Sequence, residues 1–564
     1  MMQNAIELKY GTSSAFLDDF MKESHNLFSI PVDGFTSRLI MAEIVFYTSC
    51  EKELNISYTS FADFKNNANN FWNDDGSWRY YPNATLMGKT LDGQLSANAD
   101  LWSICTDLSE VDKNGNATAL QYALNAFDRM SSERVMTLFE DNSFRPNDKM
   151  SAADAILSVY HYYRWLMVPD YKVVEDVGQY NKDIITDDLL NQNTSLPDAT
   201  NKSLPAWKGF NVDHLSNIAH GALSGMPELW TFEADIRTIA ESGGNFANVR
   251  VGCGSLSGPD FPADDMVNMA EIQYLDRIVS SGMKYGVHIQ LCFTEGPAMD
   301  REFDMQQSSD KTRTVFTDPT YRELNVRYWR MLAKRYAGIP NKYLSFDLMN
   351  ECSPLNDENY GETMAPIVTA IRDESPDRVI LADVHSQTPI TGESMAKMGV
   401  ALCAHLYDPS EVFVIMCGTM TENPDFYNNL SWPYTIDKNT GEQVSGKKIL
   451  DMKYNGVSAN DIKKTAEKYG VGFMVGEFGF FGGDTAGIMI ESPIPRETIY
   501  TILKDIISAF NAEGIPWCTE YRTEFSLTNS YAIDKSINYK AIEGSPLYLD
   551  LGMLDFYKDI MSNK

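Results

Sequence analysis

At 564 residues the chain is too long for one hydrophobic core, so two or more domains are expected. A hydrophobic content of 43% with 12% aromatics supports globular folding and argues against wholesale disorder. The formal net charge of −31 repels phosphate backbones, which argues against a nucleic-acid partner but not against a neutral polymer. No apolar run approaches the roughly 18–20 residues of a membrane span, so no transmembrane segment is expected. The opening MMQNAIELKYG lacks a basic region followed by an apolar one, so no signal peptide is visible. A chain written without its leader would look the same, and export stays open. The 8 cysteines form neither a C-x-x-C pair nor a zinc-type spacing. Cys253, Cys292, Cys352, Cys403 and Cys518 fall in or just after apolar runs and read as small buried hydrophobes.

Residues 1–190 read as short helices broken by polar loops and form a mainly helical accessory domain. Phe35–Cys50 (FTSRLIMAEIVFYTSC) and Phe144–Arg164 (FRPNDKMSAADAILSVYHYYR) echo each other. Each sets a Ser or Thr ahead of an acidic residue and an apolar-periodic helix, a helix N-terminus signature. The second resembles the S-layer homology repeat of bacterial cell-surface proteins, although Ala152–Ala153 lack the repeat's Arg. That resemblance implies a cell-wall polymer as partner of this region and a secreted or cell-surface location, with a cytoplasmic one left open. An ordinary helical domain packed on its neighbour is the plainer reading. Asp112-Lys-Asn-Gly-Asn116 alternates like a calcium loop, but Ala123 stands where the bidentate acid of the twelfth position belongs, so a solvated turn is expected. Residues 191–206, polar and carrying Pro197 and Pro205, read as a linker.

From Trp207 onward, apolar runs alternate with amphipathic helices. The runs are 207–213, 246–253, 287–293, 343–349, 378–384, 400–407, 471–479 and 515–521, with helices over Glu228–Ser242, Met266–Tyr285, Tyr321–Tyr336, Glu362–Glu374, Ile462–Tyr469 and Glu497–Glu513. Eight strands in such alternation predict an α/β fold, a (β/α)8 TIM barrel over residues 207–564. The insertion after the sixth strand carries Phe426, Tyr427, Trp432 and Tyr434, which read equally well as sugar-stacking subsites or as a small self-packed subdomain.

In such barrels, chemistry sits at the C-terminal ends of the strands. The fourth strand, in YLSFDLMNECSP, runs into Asn350 and Glu351, and the seventh, VGFMVGEFG, carries Glu477 at its end. Two carboxylates facing each other across a barrel mouth are the working parts of glycoside hydrolysis, one protonated to serve the leaving oxygen and one ionised to attack.

With these motifs, residues 207–521 resemble glycoside hydrolase family 5, the cellulase-like retaining β-glycanases of clan A. WKGFN matches that family's opening strand and NVR (248–250) its second-strand Arg. SFDLMNE (345–351) matches the Asn-Glu motif, HLY (405–407) the His-x-Tyr motif, and VGEFG (475–479) the nucleophile strand. The resemblance implies Glu351 as acid/base and Glu477 as nucleophile. It implies Asn350 on the sugar 2-hydroxyl, Arg250 and Tyr407 on Glu477, and His405 close by. It calls for no cofactor and no metal. The expected activity is cleavage of a β-1,4-linked polysaccharide, cellulose or β-glucan before mannan, and the competing class is a non-catalytic carbohydrate-binding surface protein. Two departures stand out. Cys292-Phe293-Thr294 replaces a customary His after the third strand and is followed by an extra acid, Glu295, read as a substrate hydroxyl acceptor or as simply solvated. On the eighth strand Glu520 falls where an aromatic sugar platform is usual, leaving Trp517 or Tyr521 to supply that face.

Overall fold

A computed structural model describes residues 171–192, 196–215, 232–252, 256, 265–295, 314–352, 354–384, 388–415, 424–454, 456–482, 494–521, 526–529, 537–542 and 548–562. The S-layer-like segments, the Asp112 loop and Cys253 lie outside the described residues. Eight parallel strands close into a barrel: β1 (Lys208–Leu215), β2 (Phe246–Gly252), β3 (His288–Glu295), β4 (Leu344–Asp347), β5 (Ile380–Asp383), β6 (Ala401–Leu406), β7 (Phe473–Phe478) and β8 (Trp517–Glu520), with β8 paired to β1. The helices include α1 (Phe232–Glu241), α2 (Met269–Tyr285), α3 (Pro319–Arg335), α4 (Asp357–Glu374), α5 (Glu393–Lys397), α6 (Ala459–Tyr469), α7 (Arg496–Ala512) and α8 (Leu551–Ser562), besides three short ones outside this series among the described residues. This is the expected (β/α)8 barrel. Local signals set its helix ends: Asp318 caps α3 with Pro319 in the first turn, and Ser458 with Asp461 forms a capping box on α6. No helix among the described residues is long and apolar enough to cross a membrane.

Alternation along each strand sorts side chains into two cores. Outward residues such as Phe210, Val249, Leu291 and Phe478 pack under the helices. Inward residues fill the barrel. At its N-terminal end Trp207 packs on Phe246 and His288, with ring centroids 4.9 and 4.3 Å away. His288 Nδ1–H donates to the Lys342 carbonyl (3.1 Å), and its Nε2 faces the Ser345 hydroxyl (2.8 Å). Burial lowers this imidazole's pKa to about 3. Cys292, Cys403 and Cys518 are buried free thiols, as is Cys352, in keeping with their reading as small hydrophobes.

Residues 196–206 of the polar segment that reads as a linker are part of the barrel's base. Leu196 and Ala199 are buried. The Asn201 side chain donates to the Arg378 carbonyl (2.9 Å) and accepts from the Ile380 N–H (2.8 Å). Its polarity satisfies strand ends rather than water. Residues 171–190, assigned from sequence to the helical domain, are likewise anchored, along the outer helices of the barrel. Tyr171–Val173 pairs antiparallel with Met266–Asn268, and the Asn181 N–H donates to Asp276 (2.8 Å). Arg335 holds the same carboxylate through two bonds (2.9 and 2.6 Å) and also donates to the carbonyls of Gly178 and Gln179.

In the insertion between β6 and α6, the aromatic residues pack on one another. Phe426 lies edge-on to Tyr427 and Tyr434, Trp432 meets Phe413, and the Trp432 indole N–H donates to Asp505 of α7 (2.8 Å). This is the self-packed subdomain.

Asp276 and Arg335 are 0% and 3% exposed, and removing one partner of such a pair strands the other charge. Asp276→Ala is expected to destabilise the protein by about 3–5 kcal/mol in denaturant unfolding. A change below about 1 kcal/mol would mark the pair as ornamental.

Candidate active site

The C-terminal rim of the barrel gathers acids from four strands. β4 pairing ends at Asp347, and the chain crosses Leu348 and Met349 before a turn carrying Asn350 and Glu351. Asn350 is anchored by its N–H on the Phe293 carbonyl (2.8 Å). Glu351 adopts φ 45°, a left-handed conformation that costs a non-glycine residue roughly 1–3 kcal/mol. Its N–H donates to Asp383 Oδ2 (2.7 Å), so the end of β5 holds the strained residue in place.

β7 uses a bulge for the same purpose. Its register against β6 shifts between Val475 and Glu477, so that Glu477 turns inward beside His405 while Phe478 still faces the helices. Glycine is required at the bulge, because a Cβ on Gly476 would lie 2.1 Å from Cys403 Sγ.

Glu477 is 3% exposed and fully engaged. Arg250 donates to its Oε1, and the Tyr407 hydroxyl lies 2.9 Å from its Oε2. Glu520 shares both supports, at 3.1 Å from Arg250 and 2.8 Å from Tyr407. His405 Nδ1 sits 2.9 Å from Glu351 Oε1 and 3.3 Å from Glu477 Oε2, and its Nε2 is 3.0 Å from Asp383 Oδ2. One oxygen of Glu351 and one of Glu477 lie within 4.8 Å of each other. None of these groups is read as a metal ligand, because their donors are spent on one another. Glu351, with its side chain 23% exposed, is the acid that solvent and a bound chain can reach.

Beneath the rim, side-chain amides bridge the strands. Asn211 (β1) donates to the Gly476 carbonyl, Asn248 (β2) to Asn211, and Gln290 (β3) to Asn248 and to Asp347 (β4), at 2.8–3.2 Å. Burial raises the pKa of Asp347 from 3.8 to about 7, opposed by a Met349 backbone N–H and by Arg250, with the charge of Glu477 adding to the rise. Burial also pushes Asp383 well above its usual range, helped by Asp347, Glu351 and Glu477. Tyr407 rises for the same reasons, burial first and then the charges of Glu477 and Glu520.

The structure thus brings together Glu351, Glu477, Arg250, His405, Tyr407 and Glu520. Trp517 is elsewhere. It is buried among Phe478 and Asn511 on the helix side, with its indole N–H on Asn511 (3.2 Å), and it offers no face to a sugar. Tyr521 is also buried, with its hydroxyl on Asp235 (3.0 Å). Strand parity explains both positions: if Glu520 points inward, its neighbours at odd spacing cannot. Glu520 itself, 2% exposed, is a partner of Arg250 and Tyr407. Glu295 pairs with Gly252 through its backbone, and its side chain lies outside the described residues. Sequence reasoning missed Asp383 and Asp347. An acid closing the apolar run RVILAD carries the same signal that singles out Glu351.

A closed (β/α)8 barrel with opposed carboxylates at its C-terminal rim is the frame of a glycoside hydrolase. The sequence matches the family model Cellulase (glycosyl hydrolase family 5) over residues 198–519, and the chain belongs to that family. No curated protein matches it by sequence. Among solved structures, one described as a glycoside hydrolase is 20% identical, covering 63% of this chain and 99% of that one with a TM-score of 0.48. A hyperthermophilic endo-β-1,4-glucanase in complex with substrate is 15% identical, over 58% and 93% of the two chains, with a TM-score of 0.40. Thermotoga maritima Cel5A in complex with cellobiose is 14% identical, over 57% and 92%, also at 0.40. The family assignment rests on the sequence match.

Between pH 3.8 and about 7, folded Asp347 keeps a proton that the unfolded chain has released. Its contribution to stability is full below that window and lost as pH rises through it. Asp347→Asn lacks this loss, so its stability relative to the parent protein should climb from pH 4 to pH 7, by up to ~4 kcal/mol. Unfolding curves that keep a constant separation across that range would contradict the shift.

Proposed function

We propose that the protein is a retaining β-glycanase acting on a β-1,4-linked polysaccharide, with Glu477 as nucleophile and Glu351 as acid/base. The observation that carries this reading is the close approach of the two carboxylates, within 4.8 Å between nearest oxygens and bridged by His405. Such closeness suits direct attack on the sugar, whereas inversion needs carboxyl groups roughly 6.5–9.5 Å apart with a water between them. Arg250 and Tyr407 favour the ionised form of Glu477 by charge-assisted and hydroxyl hydrogen bonds. Glu477 then bonds to the anomeric carbon as Glu351 gives its proton to the departing oxygen. In the second step Glu351 takes a proton from water, whose oxygen displaces Glu477 with a second inversion, so the β configuration returns. Asn350, one residue before Glu351, serves the 2-hydroxyl, a contact that strengthens as the oxocarbenium-like transition state forms. Protein side chains alone carry this chemistry.

The substrate within the class follows from the family. Cellulose or mixed β-glucan is the first expectation, and mannan or another β-glycan the second. Reducing-sugar release across a panel of glucan, mannan and xylan distinguishes them. On the preferred polymer, Glu477→Gln should lower turnover by about three orders of magnitude or more while the protein still melts cooperatively. Glu351→Ala should lose roughly 100-fold or more on polymer but far less on aryl glycosides whose leaving group needs no proton. Near-normal turnover by Glu477→Gln, or equal losses of Glu351→Ala on both substrate types, would overturn the roles.

A further inference from the structure

Asp383 was absent from the expected site, yet it touches both of that site's moving parts. It closes β5, is 1% exposed, and uses a single oxygen, Oδ2, for two contacts. One is the N–H of Glu351 (2.7 Å), the residue with left-handed backbone. The other is His405 Nε2 (3.0 Å), whose Nδ1 reaches Glu351 Oε1 (2.9 Å). Asp383, His405 and Glu351 therefore form a closed loop that leaves the acid by its backbone and returns to it by its side chain.

Counting protons gives the loop a direction. Both contacts of the imidazole, Nε2 with Asp383 and Nδ1 with Glu351, need a proton between their atoms to be attractive. The first is shared between Nε2 and Oδ2, and the second between Nδ1 and Oε1. Glu477 Oε2, at 3.3 Å from Nδ1, also faces this nitrogen, but Arg250 and Tyr407 already serve Glu477. A carboxylate at Oδ2 orients Nε2–H toward itself and turns Nδ1 toward Glu351 as a base that can accept from Oε1–H. The proton that His405 Nε2 shares with Oδ2 supports the negative charge of Asp383 against burial and the neighbouring acids, and that charge raises the proton affinity of the Nδ1–Oε1 pair.

We infer that Asp383 is a positioning residue for the acid step, fixing the Glu351 backbone and the His405 tautomer so that the second proton of the loop is held for Glu351. The inference rests on the assignment of Glu351 as acid/base. Protons balance without an outside donor. Glu351 releases the second proton to the leaving oxygen and remains as carboxylate, with the first proton still between His405 and Asp383. Water returns the missing proton in the second step. The other ionisable groups facing the loop are Asp347 below it on β4, Cys292 on β3, Cys403 on β6 with Tyr407 just after that strand, Glu477 on β7, and Arg250 with Glu520 across the mouth. From α4, the Tyr360 hydroxyl donates to the Asp383 carbonyl (2.8 Å).

Two variants separate the charge from the hydrogen bonds. Asp383→Asn keeps an oxygen for both contacts and removes only the charge, so the basic limb of kcat/KM on a substrate with a poor leaving group should move down by roughly one pH unit. Asp383→Ala removes the contacts too, and should lose at least about tenfold more on that substrate than on an activated aryl glycoside. Equal losses on both substrates with an unmoved basic limb would reduce Asp383 to a structural part, and parent-like profiles would remove it from the site. If Glu351→Ala itself shows no dependence on the leaving group, the acid/base assignment fails. If Glu351→Ala shows it and the Asp383 variants do not, only the present inference fails. Should neither variant fold, nitrogen-15 spectra of His405 in the parent protein decide: Nε2 protonated across the basic limb is expected, and a neutral ring protonated at Nδ1 overturns the inference.

Discussion

Burying a carboxylate is costly unless a cation and hydrogen bonds replace the water it loses. In this barrel that replacement is one guanidinium and one phenol, Arg250 and Tyr407, shared between Glu477 and Glu520. Tyr407 has a single proton and can donate it to only one of the two acids at a time. Arg250 reaches both with the same nitrogen. On the proposed roles, the ionisation of the nucleophile is therefore tied to Glu520, which stands where a sugar-stacking aromatic was expected. The mouth carries a further acid in place of an apolar platform, and the two groups that hold Glu477 are divided accordingly.

That sharing exists only because the barrel closes. Arg250, Glu477 and Glu520 come from β2, β7 and β8 and Tyr407 directly follows β6, and they converge because inward-facing residues at the ends of a closed sheet have nowhere else to point. Two local devices refine the convergence. The bulge in β7 rotates Glu477 into the mouth, which the unbroken alternation of the strand would not do. The left-handed residue after β4 turns Glu351 back over the rim, and Asp383 secures it. Below them, the bridging amides of Asn211, Asn248 and Gln290 link the strands beneath the acids by direct hydrogen bonds.

Much of this was legible in the sequence because it depends on periodicity. All eight strands stand where apolar runs alternate with amphipathic helices, and Glu351 and Glu477 declare themselves by ending such runs. What escaped depends on direction and register. Trp517 looks like a sugar platform until strand parity sets it opposite to Glu520. Asp383 carries the same strand-end signal as Glu351 but lacks a neighbouring Asn to draw attention. Residues 191–206 have the composition of a linker, yet the Asn201 side chain bonds strand ends, and composition cannot tell a water partner from a backbone partner. The short α5 and the barrel's amide bridges leave no periodic trace.

On the proposed roles Glu477, and not its neighbour Glu520, attacks the sugar. The two acids share Arg250 and Tyr407, so geometry alone makes them rivals. An activated 2-deoxy-2-fluoro β-glycoside forms its glycosyl-enzyme faster than water releases it, and peptide mass spectrometry then locates the bond. One sugar per chain is expected, on the peptide carrying Glu477. A label on Glu520, or no covalent adduct together with an inverted product anomer, would contradict it.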